Sequence, residues 1–491
     1  MHRYRFAVLL LSLVLGTVGA HAAVFAPTKL TDGADGTCDA DCSLREAVQA
    51  ANAHAGEDVI VLRAGVYQLE LVGDDDTGAA GDLDVTDALS ILGDGAPDTS
   101  IFGTYGSGLP GDRILDVAAG ASLDLRAVKL VVGKVQGDGG CIRNRGTLTV
   151  ARSEIAGCSA TGNGGGIHND NGATLTVTDS AIFASTAAAG GGLATGGETR
   201  LANVTVDSNQ AQSGSGGGIY RASTAHLVLN NVTLTFNSAT ARGAGIFAES
   251  SVFVGLAPRV TNSLLAANIG PSEPDCSGSL DSSYNVIGNA SGCNGPSTAN
   301  HDLLGTAQAP LDAKLAHGLR VQGGETVTHE ILAGSPAIDA GNPAAAGDGA
   351  CEATDQRGAA RPAGPRCDAG AFEVTTACVP GGNTLCLGEG GRFRVTADWR
   401  SAEGNGLATT VGFTRDAGYL WFFSPENVEV TIKVLDACIF NDRFWVFSSG
   451  MTDVEVHVTV TDTHTGAVKT YNNPLGRTFA TTLDTNAFLC H

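Results

Sequence analysis

Apolar and polar residues alternate along the chain in short runs, and between residues 141 and 270 these runs repeat with a nearly constant period. An aliphatic residue after a glycine or cysteine step marks each repeat, and the intervals between marks are 25, 26, 26 and 27 residues. The five marks are Ile142, Ile167, Leu193, Ile219 and Ile246. Period-two alternation, glycine turns and the lack of helical spacing predict stacked β coils. Each coil would turn its marked residue into a narrow core, about 4.8 Å from the next coil.

A second column of the repeat consists of small residues, most of them asparagine. Its members are Cys158, Ser185, Asn209, Asn237 and Asn268. Asparagine tolerates the left-handed backbone region, and its amide can bond the equivalent turns above and below. We therefore expect left-handed backbone at these asparagines and a structural role for their side chains.

The stretch before the repeat predicts a helix followed by less regular coils. Ser43 and Glu46 have the spacing of a capping box, and an apolar face of leucine, valine and alanine follows. Strand-like runs then occur at 59–62, 67–71, 83–85, 89–92, 114–117, 123–125 and 128–132. We predict an N-terminal cap over residues 23–57, whose helix covers the open end of a parallel β-helix over residues 58–375. An uncovered first coil would expose unpaired strand edges.

Residues 378–491 predict a separate antiparallel β-sandwich. Two runs alternate strictly between valine or isoleucine and polar residues, at 428–434 and 454–460. Strands with one buried face and one solvent-exposed face are typical of packed antiparallel sheets. Residues 462–466 have the composition of a hairpin turn. Trp399, Trp421 and Trp445 all lie here. Core packing is the favoured role for these rings, and sugar binding is the alternative.

The charge of the chain limits its partners. Lysine and arginine number 29 against 51 aspartate and glutamate, which gives a net charge of −22. Such a balance argues against nucleic acid and anionic membranes, and it disfavours unaided binding of acidic polysaccharides.

The first 22 residues predict a secretory signal peptide. Arg3 and Arg5 precede an apolar run at 6–18, and Ala20-His21-Ala22 forms a small-x-small cleavage site. No later run approaches the roughly 18 apolar residues of a membrane-spanning helix. Removal of the signal would leave 27 basic against 51 acidic residues, a net charge of −24.

Twelve cysteines suit an oxidising destination, and they fall mostly as local pairs. We predict disulfides for Cys38/Cys42, Cys141/Cys158, Cys276/Cys293, Cys351/Cys367 and Cys378/Cys386, which leaves Cys438/Cys490. Sequence alone does not prove connectivity. Metal ligation by the thiols is the rival, but the Cys-x-x-Cys and His-Glu-x-x-His spacings are absent.

Three motifs carry a family resemblance. The Gly-Gly-x-Ile steps resemble the repeats of polymorphic outer-membrane proteins and the right-handed parallel β-helix (pectin-lyase-like) class. Residues 42–47, CSLREA, resemble the signature of the CSLREA domain, and a series of motifs between Asp275 and Glu373 resembles the choice-of-anchor Q domain. The resemblance implies a secreted or cell-surface bacterial β-helix protein. No sorting motif or membrane tail follows Glu373.

The sequence favours binding over catalysis. Polygalacturonase-like carboxylate motifs are absent from the coils, and residues 141–270 contain neither a lysine nor an acidic cluster. Arg357, Arg361 and Arg366 fall outside the repeat, where a structural role is expected.

The leading prediction is a non-catalytic adhesion protein for an extracellular glycan or surface protein. The alternative is a polysaccharide lyase or glycoside hydrolase whose site is not recognised. No cofactor is required, although the acidic run at 32–41 could bind calcium through oxygen ligands.

One column is the candidate ligand site. The residues directly after the inward aliphatics should face outward if the strand continues. They are Arg143, His168, Ala194, Tyr220 and Phe247, with Arg145, Asp170 and Glu249 two positions further along. Five stacked coils would span roughly 19 Å, which suits an extended glycan. Aromatic rings beside hydrogen-bonding groups are what sugars require, and an ordinary solvated face is the alternative.

Overall fold

The chain folds into two kinds of β structure. The computed structural model describes residues 22–73, 77–103, 111–251, 256–322, 324–332, 334–375, 378–463 and 467–490. The described chain is 42% strand and 4% helix. A parallel β solenoid of about eight turns is followed by a separate antiparallel sheet region at the C-terminus. The predicted all-β class, with a solenoid before an antiparallel region, is confirmed at this level. The predicted signal peptide lies outside the described residues except for Ala22.

A nine-stranded parallel sheet carries the marked aliphatic residues. Its strands are Leu83–Val85, Leu115–Val117, Ile142–Asn144, Ile167–Asn169, Leu193–Thr195, Ile219–Arg221, Ile246–Ala248, Cys276–Ser279 and Cys293–Asn294. Ile142, Ile167, Leu193, Ile219 and Ile246 pair in register from coil to coil, and each is 0% exposed. The predicted inward column is therefore confirmed.

The remaining sides of the coils form two further parallel sheets. The larger has seventeen strands among the described residues: Val24–Phe25, Asp58–Val61, Gly65–Gln68, Ala88–Leu92, Thr99–Phe102, Ser122–Arg126, Lys129–Val131, Thr147–Ala151, Glu154–Ala156, Thr174–Phe183, Glu198–Asp207, His226–Thr235, Arg259–Thr261, Leu264–Ala266, Asp281–Ser283, Val286–Ile287 and Leu303–Leu304. The smaller comprises Lys134–Val135, Ser159–Ala160, Thr186–Ala187, Gln210–Ala211 and Ser238–Ala239. Strands of the nine- and seventeen-stranded sheets bury their aliphatic residues in one continuous core.

The asparagine column forms a hydrogen-bonded ladder, but its backbone differs from the prediction. The backbone N–H of Asn209 donates to Asn237 Oδ1, and that of Asn237 donates to Asn268 Oδ1, both at 3.0 Å. The left-handed backbone lies one residue earlier, at Ser208 and Phe236 with φ of 52° and 55°. The prediction of left-handed asparagines at these positions was wrong. The turn before each asparagine directs its amide inward, where it reaches the backbone of neighbouring coils.

A single longer helix precedes the coils in the described chain, at Leu44–Ala53. The predicted capping box is present, because Ser43 and Glu46 each accept a hydrogen bond from the other's backbone N–H. The apolar face of this helix belongs to the solenoid core. Arg45 is fully buried and joins the helix to the coils by donating to Asp32 and to the carbonyl of Gly81. Shorter helical turns are Thr298–Asn300, Glu389–Gly391 and Cys438–Asn441.

After the last solenoid strand, the described residues of 306–375 turn back along the outside of the coils; we call them the fold-back segment. Asn203 Nδ2 donates to the carbonyl of Thr354 at 2.8 Å, and Thr205 Oγ1 donates to Gln356 at 2.6 Å. The residues that the sequence assigned to the solenoid up to 375 thus comprise coils and an external segment.

Three arginines of the fold-back segment, Arg357, Arg361 and Arg366, serve its internal structure. Arg357 pairs with Asp355 at 2.6 Å and Arg361 with Glu373 at 2.9 Å, and all four side chains are almost entirely buried. Arg366 Nε donates to the carbonyl of Asp339 at 2.7 Å. These contacts support the structural role that the sequence predicts for these residues.

All twelve cysteines lie in the described residues and form six disulfides. The pairs are Cys38–Cys42, Cys141–Cys158, Cys276–Cys293, Cys351–Cys367, Cys378–Cys386 and Cys438–Cys490. The first five are the predicted local pairs, and the sixth joins the two cysteines that this pairing leaves over.

The C-terminal region contains two antiparallel sheets that share one buried apolar cluster. The first terminal sheet comprises Leu385–Leu387, Phe393–Arg400, Asn405–Leu407, Glu455–Asp462 and Val468–Asn473. The second terminal sheet comprises Thr409–Thr414, Ala417–Trp421, Val430–Ala437, Arg443–Gly450 and Thr482–Leu489. Strands Glu455–Asp462 and Val468–Asn473 pair directly, whereas residues 464–466 of the predicted hairpin turn lie outside the described residues.

The tryptophans of this region do not share one role. Trp399 packs against the buried cluster, with its ring centroid 5.8 Å from that of Phe422. Trp445 alternates with buried Phe444 and Val446, so it lies on the outer face of the second terminal sheet. Core packing was therefore the right prediction for Trp399 and the wrong one for Trp445.

Candidate functional site

The predicted column is longer than the five residues that the repeat pattern identifies. Strand register in the nine-stranded sheet aligns Asp84, Asp116, Arg143, His168, Ala194, Tyr220, Phe247 and Ser277. We call this the outer column. Ala194 is buried and has no functional group, so it separates an acidic and basic half from an aromatic half. The four residues predicted to bind ligand are all half-buried, with two in each half.

The basic side chains of the charged half are paired with carboxylates. Arg143 Nη2 lies 3.0 Å from Asp170 Oδ2, and His168 Nε2 lies 2.8 Å from Asp170 Oδ1. Burial opposes ionisation of Asp170, but the hydrogen bond from His168 and the charge of Arg143 hold the pKa of this carboxyl below its ordinary value. Arg145 Nη2 likewise pairs with Asp116 Oδ1 at 2.8 Å. Arg143 and His168 therefore already have a shared anionic partner.

A buried carboxyl continues this half toward the N-terminus. Asp82 Oδ2 accepts from Arg113 Nη1 at 2.8 Å, and Asp82 is 3% exposed. Burial, and then the charge of Asp112, raises the pKa of Asp82 to about 7, although Arg113 opposes the shift. This cluster was missed because the strands at 83–85 and 115–117 do not share the glycine steps by which the column was aligned.

The aromatic half is a stacked pair of rings. The rings of Tyr220 and Phe247 have centroids 5.7 Å apart and an interplanar angle of 22°. The Arg242 guanidinium lies 5.3 Å from the centroid of Phe247. Tyr220 donates its hydroxyl hydrogen to Glu249, whose other carboxyl oxygen accepts from the N–H of Ser223 at 3.0 Å. Burial, and then this bond to Glu249, raises the pKa of Tyr220, so the phenol stays protonated.

A cleft of about 450 Å³ adjoins the stacked rings. Its lining combines Phe247 with charged, hydroxyl and amide side chains: Ser223, Arg242, Glu249, Ser250, Glu273, Ser277 and Asn294. Ser277 Oγ donates to Glu273 Oε2 at 2.5 Å. The Cys276–Cys293 disulfide joins the residue before Ser277 to the residue before Asn294. Two walls of the cleft are therefore tied together covalently.

The structure thus brings together Tyr220, Phe247 and Glu249 and leaves Arg143 and His168 outside the cleft. Arg242, Glu273 and Asn294 complete the cleft. The period-based pattern did not identify them because Arg242 and Glu273 lie between strands and Asn294 lies in a strand beyond the five regular repeats. One signal was present in the sequence: Cys276 and Cys293 directly precede Ser277 and Asn294, which both line the cleft.

The acidic run considered for calcium is engaged by protein groups. Asp32 accepts two hydrogen bonds from Arg45, at 2.9 and 3.0 Å, and Asp41 lies 3.2 Å from Lys29 Nζ. Elsewhere in the described chain, one group of three potential metal ligands lies close together: Asp436, Cys438 and Cys490. Its two sulfurs are bonded to each other, so they are not thiolates.

Comparison with family models, with curated proteins and with solved structures gives no match. Within the described residues, no helix has both the length and the apolar composition that crossing a bilayer requires.

Proposed function

We propose that the protein is a non-catalytic extracellular binding protein that holds a glycan chain on the aromatic half of the outer column. The parallel pair of Tyr220 and Phe247 beside a polar cleft is the observation that carries this proposal. Aromatic faces cover the apolar faces of sugar rings, and hydroxyl, amide and carboxylate groups bond the sugar hydroxyls. The solenoid would keep these groups at a fixed spacing.

The charges of the cleft favour a neutral or amino sugar over a uronic acid. Glu249 and Glu273 face one cation, Arg242, whose guanidinium lies over the Phe247 ring. The chain as a whole carries a net charge of −22. Both features would repel a polyanionic glycan.

The test is a glycan array followed by titration calorimetry on the ligand that it identifies. The double variant Tyr220→Ala and Phe247→Ala should lose affinity by at least about tenfold, because each stacked ring contributes on the order of 1 kcal/mol. The melting temperature should stay nearly constant, since both rings lie at the surface.

The matched control removes a second stacked pair, Phe413 and Tyr419, whose centroids are 5.0 Å apart in the C-terminal region. Phe413→Ala with Tyr419→Ala should retain the parent affinity. Full affinity in the Tyr220/Phe247 variant would eliminate the outer column as the site. Loss of affinity only in the control variant would move the site to the C-terminal region.

Glycan cleavage is the second candidate function. Glu249 and Glu273 are two carboxylates in one cleft, and carboxylate pairs perform glycoside hydrolysis. Incubation with pectins, alginates and neutral glycans would release new reducing or unsaturated ends if this candidate is right. Such products, abolished by Glu249→Gln, would replace the non-catalytic proposal.

We further infer that the protein is a secreted bacterial member of the CSLREA and choice-of-anchor Q group, with a right-handed parallel β-helix and a C-terminal β-sandwich. The inference is supported by residues 42–47, which begin the capped helix, and by the buried arginine pairs of the fold-back segment. Several disulfides, and the lack of a membrane-length helix among the described residues, are compatible with an extracellular protein. A surface protein is the alternative partner to a glycan.

A further inference from the structure

Two adjacent apolar side chains project into solvent at the turn between strands Val430–Ala437 and Arg443–Gly450. Ile439 is 89% exposed and Phe440 is 72% exposed, the two highest values among the large apolar side chains of the described residues. We call residues 438–441 the apolar tip. Single exposed apolar residues are common, but a neighbouring pair on a convex turn indicates a surface that meets something apolar.

The apolar tip is held in place by covalent and polar contacts. The Cys438–Cys490 disulfide ties its first residue to the end of the chain. Asn441 Nδ2 donates to the carbonyl of Thr485 at 2.9 Å, and the N–H of Asp442 donates to the carbonyl of Cys438 at 3.1 Å. The tip therefore presents its apolar side chains in a preorganised turn, which reduces the entropy cost of binding.

The apolar surface continues from the tip onto the outer face of the second terminal sheet. The ring centroids of Phe440 and Trp445 are 6.0 Å apart, and so are those of Trp445 and Phe447. Phe447 pairs across the sheet with Leu483, which is 69% exposed. Trp445 Nε1 donates to Asn441 Oδ1 at 2.9 Å. An indole with an apolar body and a bonded polar edge is typical of the boundary between membrane and water.

The charges around the tip indicate which lipid headgroups it can approach. Asp436 and Asp442 lie on either side of it in the chain and outnumber the adjacent cation Arg443, whose Nη1 donates to the carbonyl of Asp442. The whole chain carries 51 acidic against 29 basic residues. An anionic leaflet would repel this end of the molecule. A phosphatidylcholine headgroup instead exposes its cationic choline outermost, which complements the two carboxylates. A convex tip also suits a deformable layer, because it can enter between headgroups without a preformed pocket.

We propose that the apolar tip inserts into the interface of a zwitterionic phospholipid bilayer, with Ile439 and Phe440 below the headgroups and Trp445 at their level. The proposal is independent of glycan binding by the solenoid. It assigns a membrane-docking role to the C-terminal region without a spanning segment.

The first test is cosedimentation of the purified protein with phosphatidylcholine vesicles. The variant Ile439→Ser with Phe440→Ser should lower the partition coefficient by about tenfold for each apolar side chain removed. Adding phosphatidylserine to the vesicles should weaken binding of the parent protein. Stronger binding to the anionic vesicles would overturn the assignment of a zwitterionic surface.

The second test follows Trp445 itself. In a protein that carries Trp399→Phe and Trp421→Phe, the remaining tryptophan emission should shift to shorter wavelength on binding to phosphatidylcholine vesicles. Lipids brominated on their acyl chains should quench it. Emission that stays unchanged while the protein cosediments would show that another surface contacts the lipid, and would refute the proposal.

The matched control is Phe423→Ser with Met451→Ser. Both side chains are exposed, at 53% and 71%, and Met451 follows strand Arg443–Gly450 at the end opposite the tip. This variant should bind vesicles like the parent. Equal loss in both variants, or no binding by the parent protein, would overturn the proposal. A dimer in sedimentation velocity that only the tip variant loses, without vesicle binding, would assign the tip to self-association instead.

Discussion

At the scale of single residues, the carboxyl of Asp82 links stability to pH. Its pKa is raised from 3.8 to about 7 by burial and the neighbouring Asp112, against the opposing charge of Arg113. A raised folded-state pKa means that the folded protein binds the proton more tightly than the unfolded chain. The resulting stabilisation is complete below about pH 4 and is lost as pH rises through about 7.

The variant Asp82→Asn should therefore show a pH-dependent difference in melting temperature from the parent. Because asparagine does not titrate, the parent should gain stability relative to the variant as pH falls from about 8.5 to about 5.5. Circular dichroism melts at several pH values measure this difference. A difference that stays constant over the range would contradict the raised pKa.

Asp170 provides a control, because its pKa is shifted in the opposite direction to that of Asp82. Its pKa is lowered from 3.8, so its stabilising contribution is present above that value and is lost only as pH falls through the lower folded-state pKa. The penalty of Asp170→Asn should then shrink as pH falls below 3.8, which is the direction opposite to that expected for Asp82.

At the scale of secondary-structure elements, each solenoid strand depends on its two neighbours. Ile219 is 0% exposed and pairs in register with Leu193 and Ile246. A carboxylate at this position would be buried among apolar side chains without a partner, at a cost of several kcal/mol. We expect Ile219→Asp to unfold the solenoid, and His226→Asp, at an exposed position in the same coil, to be mild. Unchanged circular dichroism melts for Ile219→Asp would remove this residue from the core.

At the scale of the whole molecule, residues 378–491 contain what an independent domain requires. Both terminal sheets contribute to one apolar cluster, and the disulfides Cys378–Cys386 and Cys438–Cys490 are internal to the region. We expect this fragment to fold when expressed alone, with well-dispersed amide signals in its NMR spectrum. The reduced fragment is the control for the disulfides. Poor dispersion in the oxidised fragment would show that it needs the preceding chain. Arg394 of the fragment pairs with Glu330 of the fold-back segment at 3.0 Å.

Much of the architecture could be predicted because its cause is local. Side chains alternate between the faces of a strand, and in-register stacking repeats this choice from coil to coil. The inward column from Ile142 to Ile246 and the outward orientation of Tyr220 and Phe247 both follow from that rule. The capping box at Ser43 and Glu46 is equally local, since its two hydrogen bonds join residues three apart.

The partners of outward side chains were decided by the tertiary structure. Arg143 and His168 share Asp170, whereas Tyr220 stacks on Phe247, which lines a cleft together with Glu273 and Asn294. The repeat pattern predicts the same outward orientation for all four column residues. It does not predict which side chains surround each of them.

The course of the fold-back segment and the exposure of Ile439 and Phe440 likewise depend on chain paths that no local period encodes. From sequence alone, an apolar pair such as Ile439 and Phe440 would be assigned to the core. Only the packing of the two sheets shows that these side chains lie outside the apolar cluster. Periodicity by itself therefore determined the solenoid and its stacked interior. Tertiary contacts, which join residues far apart in the chain, decided where its surface can bind.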